Sequence, residues 1–162
     1  MDDDLKHIVN LLVEDDVKGA YLLVLDVTTK VRFHCGSLGK ITIPKGLYLY
    51  VGSALGVGGV KSRVLRYFNR PLVGKWHIDK LLNTGKVSIR AVICIFSSSR
   101  VESMIYNELM RTGFKATIKR FGSTDTKDET HLLYSQTSLS NTIARISSIL
   151  FKLGLRFRSF LY

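Results

Sequence analysis

The run Leu47-Tyr48-Leu49-Tyr50-Val51, followed by Gly52, Gly56, Gly58 and Gly59 and then by a basic segment, constrains this chain more than any other feature. Consecutive apolar, aromatic and β-branched residues predict a buried strand. The glycines give the turn a positive-φ and close-approach freedom that other residues lack. Beyond them Val60, Val64, Leu65 and Phe68 recur at helical spacing, which places Arg63, Arg66 and Arg70 on another side of that helix. A strand, a glycine-rich turn and a cationic helix together read as a phosphate site.

With 162 residues the chain suits one domain with its own core. Cys35 and Cys94 stand alone, without C-x-x-C spacing, and are expected as buried free thiols of a reducing compartment. No apolar run reaches the length of a membrane span, and Met-Asp-Asp-Asp is the opposite of a signal peptide's basic start. A soluble, cytoplasmic protein is expected. The net charge of +11 is uneven: residues 1–18 carry two basic and six acidic side chains, residues 19–136 eighteen and seven, residues 137–162 four and none. Between positions 61 and 75 stand Lys61, Arg63, Arg66, Arg70 and Lys75 with no acidic residue. Such a row reads as a phosphate-backbone footprint, or else as a solvated basic face; nucleic acid is the expected partner.

Leu5, Ile8, Val9, Leu12 and Val13 predict a short helix within residues 1–18. Strands are expected at Tyr21–Val27, Val31–Cys35, Lys40–Ile43 and Tyr48–Val51, spaced so closely that an antiparallel meander is the natural arrangement. Helices follow at about Gly58–Asn69, His77–Leu82 and Val101–Met110, with strands at Ser88–Phe96, Lys115–Arg120 and His131–Ser135. The expected class is α/β (α+β), a small mixed or antiparallel sheet flanked by helices. In residues 137–162, Leu139, Ile143, Ile146, Leu150, Leu153, Phe157 and Phe160 form a heptad-like seam on one amphipathic C-terminal helix of about 33 Å, with Ser140 as its cap. That helix would dock on its own domain, pair with a second copy as a homodimer, or lie on a membrane surface or nucleic acid.

Gly19-Ala20-Tyr21 and Tyr50-Val51-Gly52 resemble the Gly-Ile-Tyr and Tyr-Ile-Gly pair of the GIY-YIG nuclease superfamily. Trp76-His77-Ile78-Asp79, Phe121-Gly122-Ser123-Thr124-Asp125 and His131-Leu132-Leu133-Tyr134 are similar to landmarks of one branch, the GIY-YIG-like domain of unknown function number 123. The likeness spans Gly19 to Tyr134. The 29-residue spacing from Tyr21 to Tyr50, longer than in the familiar endonucleases, fits that branch, which carries an insert around Gly36–Gly39.

The resemblance implies a nuclease that hydrolyses DNA phosphodiesters with Mg2+ or Mn2+. Tyr21 and Tyr50 then line the active site, one of them accepting a proton or positioning water, and Arg63 is the catalytic arginine. A free phenol is a weak base at neutral pH, so nearby cations, Arg63, Arg66 or a metal, would have to lower its pKa. Glu102 matches the metal-binding glutamate, although a carboxylate in a helix's first turn is also favoured by the dipole alone. Lys61, Arg66, Arg70 and Lys75 are the expected nucleic-acid contacts. Tyr67 stands where the branch tends to show histidine, and Thr126 and Asp128 where it shows cysteines, so no cysteine-based metal or redox chemistry is expected. On the residues themselves, Trp76 reads as core, His77 as a proton shuttle or metal ligand, and Asp125 and His131 as further neighbours of the pocket. Two other readings stay open: a non-catalytic nucleic-acid-binding module, and a structural protein assembled through the tail.

Overall fold

The strand β1 (Gly19–Val27) is apolar along nearly its whole length because it is covered on both faces and paired on both edges. In the computed structural model, which describes residues 2–125 and 127–161, a six-stranded antiparallel sheet runs in the order β6-β7-β4-β1-β5-β8. Its other strands are β4 (Gly46–Ala54), β5 (Val87–Phe96), β6 (Lys115–Ala116), β7 (Leu132–Ser135) and β8 (Arg156–Leu161). Thr126 lies outside the described residues.

Period-two alternation divides the sheet residues between two cores. Tyr21, Leu23 and Leu25, with Tyr48 and Tyr50, face α1 (Asp2–Leu12), α2 (Gly59–Leu65) and α3 (His77–Leu82). Leu22, Val24, Leu49 and Val51 face α4 (Glu102–Arg111) and α5 (Leu139–Lys152). The architecture is thus a mixed α+β fold with helices on both faces of one sheet. Cys35 and Cys94 are buried and free, as expected.

The expected meander does not form. β1 pairs with β4 directly, Tyr21 opposite Gly52 and Leu23 opposite Tyr50. The intervening β2 (Val31–His34) and β3 (Lys40–Ile43) fold back as a separate two-stranded sheet, whose Val31, Ile41 and Ile43 cover the first core. Short strands with one apolar face serve that lid better than a place in a sheet already flanked by β5. The strand expected over Lys115–Arg120 is reduced to Lys115–Ala116, and the helix expected to reach Asn69 passes into a 3-10 turn at Arg66–Phe68.

The tail is also corrected: its helix ends at Lys152, roughly 21 Å long rather than 33 Å. Gly154, at φ +67, closes it. Its N–H donates to the Phe151 carbonyl and the Leu155 N–H donates to that of Leu150, the paired reverse bonds that glycine in the left-handed region permits. Phe157 and Phe160 therefore lie on β8, paired with Ile95 and Val92. The cap is Ser138, not Ser140: its hydroxyl accepts the Asn141 N–H. Ile143, Ile146 and Leu150 are buried in the second core, so this part of the seam docks on its own sheet. Among the described residues no helix is long and apolar enough to cross a membrane.

Candidate active site

One cleft of about 260 Å³ opens on the first-core side of the sheet and gathers Tyr21, Tyr50, Arg63 and Glu102 in its lining. These side chains come from β1, β4, α2 and α4. Tyr21 and Tyr50 share a face because residues two apart across an antiparallel pair point the same way, and their ring centroids lie 6.5 Å apart. Gly52 makes room for this: a Cβ there would stand 2.1 Å from Cζ of Tyr21. The turn after β4 then returns the chain through α2, which lowers Arg63 over the cleft.

Tyr67 and His131 complete the wall. The Tyr67 hydroxyl lies 2.5 Å from that of Tyr21 in a buried hydrogen bond. His131 Nε2 sits 3.2 Å from Asp128 Oδ2, which also accepts the Ser103 hydroxyl at 2.7 Å. Arg100 and Asp125 are exposed at the rim. The place of His131 and Asp125 before β7 already puts them beside the pocket, whereas nothing in the spacing of Tyr67 points to Tyr21.

Burial pushes the phenols of Tyr21 and Tyr50 well above their ordinary value near 10, and neighbouring phenols add to it. Arg63 acts in the opposite direction on Tyr21, and Arg66 on Tyr50, but desolvation wins. The two guanidiniums by themselves therefore do not bring a phenol down. Burial raises Tyr67 as well, although the Tyr21 hydrogen bond and the Arg66 guanidinium, 4.7 Å over its ring, both favour its ionised form.

The cationic row does not form one track. Arg66 Nη2 meets Asp79 Oδ2 at 2.6 Å, with Asp79 wholly buried, and the same oxygen accepts the Trp76 N–H at the start of α3. Lys61 pairs with Asp15 at 2.9 Å, outside the cleft. Arg70 donates to the backbone carbonyls of Tyr67 and Val87. Helical geometry explains the scatter, since positions 61, 63 and 66 point in different directions around α2 and its 3-10 extension. Only Arg63 faces the cleft from within this group, while Lys75 is exposed beside it, its ammonium 5.1 Å from the Trp76 ring.

His77 is not among the residues lining the cleft. Its Nδ1 accepts the Gly122 N–H at 3.0 Å and its ring stacks on Phe121, so it fastens the loop leading to β7. Burial, then Lys80, lowers its pKa, which keeps it neutral and able to accept that bond. Trp76, expected in the core, is 41% exposed at the cleft mouth. Its backbone N–H is tied to buried Asp79 at the start of α3, while its ring turns outward beside Arg63 and Lys75.

Glu102 is buried, and its Oε2 accepts the Val101 N–H at 2.8 Å. Its place in the cleft wall goes beyond what a helix-dipole preference requires. Among the described residues no three His, Cys, Asp or Glu side chains cluster as a ready-made metal cage.

No curated protein and no solved structure matches the chain. A family profile does, over residues 20–152, a span that takes in every element from β1 through α5. The chain belongs to the family described as domain of unknown function DUF123.

Proposed function

We propose that this protein is a GIY-YIG-type nuclease that hydrolyses phosphodiesters in DNA with a divalent cation, Mg2+ or Mn2+. The observation that carries the reading is the convergence of Tyr21, Tyr50, Arg63 and Glu102, remote in sequence, on one cleft. Arg63 is half-buried there, and its planar guanidinium suits bidentate contact with a phosphate.

A buried carboxylate in a cleft that also admits phosphate fits Mg2+ or Mn2+, because such ions need one or two protein carboxylates and keep waters and substrate oxygens as other ligands. Glu102 would hold it. When bound, such an ion neutralises charge building on the phosphoryl oxygens and the leaving group. Arg63 binds and orients the phosphate, and stabilises the extra negative charge of the transition state. The hydroxyl of Tyr50, still protonated at neutral pH, orients the attacking water. The water oxygen bonds to phosphorus as the bond to the departing sugar oxygen breaks. In molecules whose Tyr67 is a phenolate, the proton released by the water passes through the Tyr21 hydroxyl to the Tyr67 oxygen, and the departing sugar oxygen takes a proton from solvent.

The test is incubation of end-labelled single-stranded, duplex and branched DNA with the purified protein and Mg2+, Mn2+ or a chelator. Cleavage with either metal and none with chelator is expected. No cleavage of any substrate would leave a binding module in place of the enzyme.

A further inference from the structure

We propose that Trp76 is a stacking platform for an unpaired nucleobase next to the phosphate held in the cleft. This rests on the nucleic-acid reading above and names the substrate more narrowly. Trp76 is a large aromatic ring left 41% exposed on the lining of the same cleft as Arg63 and Glu102. Two cations border its ring, Arg63 with its guanidinium carbon 5.7 Å from the centroid and Lys75 at 5.1 Å. Every base offers a π-face, and an aromatic side chain flanked by cations that follow the backbone is the arrangement that binds single strands without reading sequence.

The occupant is an unpaired base rather than a duplex. A base within a helix presents its edge to the outside and keeps its faces stacked, so it has no face to give to Trp76. The cleft itself, about 260 Å³, is small beside the roughly 300–1,000 Å³ usual for drug-sized ligands. Lys75 is exposed and on a flexible stem, so its ammonium yields the ring to a base and moves onto the adjoining phosphate. Single strands, flaps and gaps offer such a base; blunt duplex does not.

The chain has one tryptophan, so its intrinsic emission reports on this position alone. A thymine oligonucleotide, its RNA counterpart and a blunt DNA duplex are titrated in chelator, with binding followed in parallel by anisotropy of a labelled strand. Emission should fall and saturate with the single strand at the affinity that anisotropy gives, and equal quenching by the RNA also supports the platform, which contacts base rather than sugar. Trp76→Ala should weaken single-strand binding about tenfold or more while leaving duplex binding unchanged, and Trp76→Phe should keep most of it. The Trp76 backbone N–H bond to Asp79 survives both changes, and the quenching result stands on the native protein even if a variant folds poorly. Binding by anisotropy with unchanged emission, or a folded Trp76→Ala that binds single strands normally, overturns the platform and leaves the nucleic-acid reading intact. No anisotropy change with any strand overturns both.

Discussion

The ring of Tyr21 lies directly across Gly52, its partner on the neighbouring strand, so closely that a methyl group on Gly52 would stand 2.1 Å from Cζ and 2.3 Å from the hydroxyl oxygen. The two three-residue motifs of this chain are therefore one structural unit, the glycine of the second making space for the tyrosine of the first. Gly52→Ala should cost about 1–3 kcal/mol through overpacking, lowering the melting temperature by roughly 2–4 °C per kcal/mol. In a Tyr21→Ala background the same change should cost much less. Thermal melts of the four proteins in that cycle check this; equal costs in both backgrounds would separate the two residues.

Arg66 and Arg63 stand one turn apart and should respond in opposite ways. Removing the carboxylate of buried Asp79 leaves Arg66 without its partner, a loss of about 3 kcal/mol, at the low end for buried pairs because Arg66 keeps some exposure. Asp79→Ala and Arg66→Glu should both melt early. Arg63→Ala should keep its melting temperature within a few degrees and lose phosphate affinity and cleavage instead. Denaturation curves set beside binding isotherms distinguish the pattern.

The pH dependence follows from the raised phenols. With Tyr21 and Tyr50 pushed well above 10 and Tyr67 also raised, the ionised fraction is small at neutral pH and grows with pH. The single-turnover cleavage rate should climb about tenfold per pH unit from 7 to 9 without a plateau. A plateau near 6 to 7 would move the proton-accepting role away from the phenols.

In the tail, Ile146 is wholly buried in the second core and Leu153 is half-buried beside it. Ile146→Asp with Leu153→Asp places a charge in that core and should cost at least about 4 kcal/mol, read as a steep fall in melting temperature or loss of soluble protein. A well-folded double variant that differs from the parent only in mass by light scattering would mean that the seam joins two copies.

The elements were legible where pattern and period agree. His77–Leu82 matches α3, and the central strands fall within three residues of expectation, because long apolar runs and helical spacing leave little choice. The tail failed because heptad spacing continues across Gly154 although the backbone does not: that glycine, in the left-handed region, is a stop. The cations failed for a different reason: charge along a sequence does not say which of them meets Asp15, Asp79 or a carbonyl in three dimensions. The cleft was visible through Tyr21, Tyr50, Arg63 and Glu102, but the Tyr67 bond to Tyr21 is a contact between a strand and a 3-10 turn that no spacing encodes.

The most direct measurement is single-turnover cleavage of a labelled branched DNA with Mg2+ by the native protein, Arg63→Ala, Glu102→Gln and the double variant. Glu102→Gln keeps an oxygen for the Val101 N–H, so its fold should hold. The expected result is cleavage by the native protein, near-background rates for each single variant, and no further loss in the double, as for residues that act as a unit. A native protein that cuts nothing, or variants that cut at the native rate, would contradict a nuclease site in this cleft.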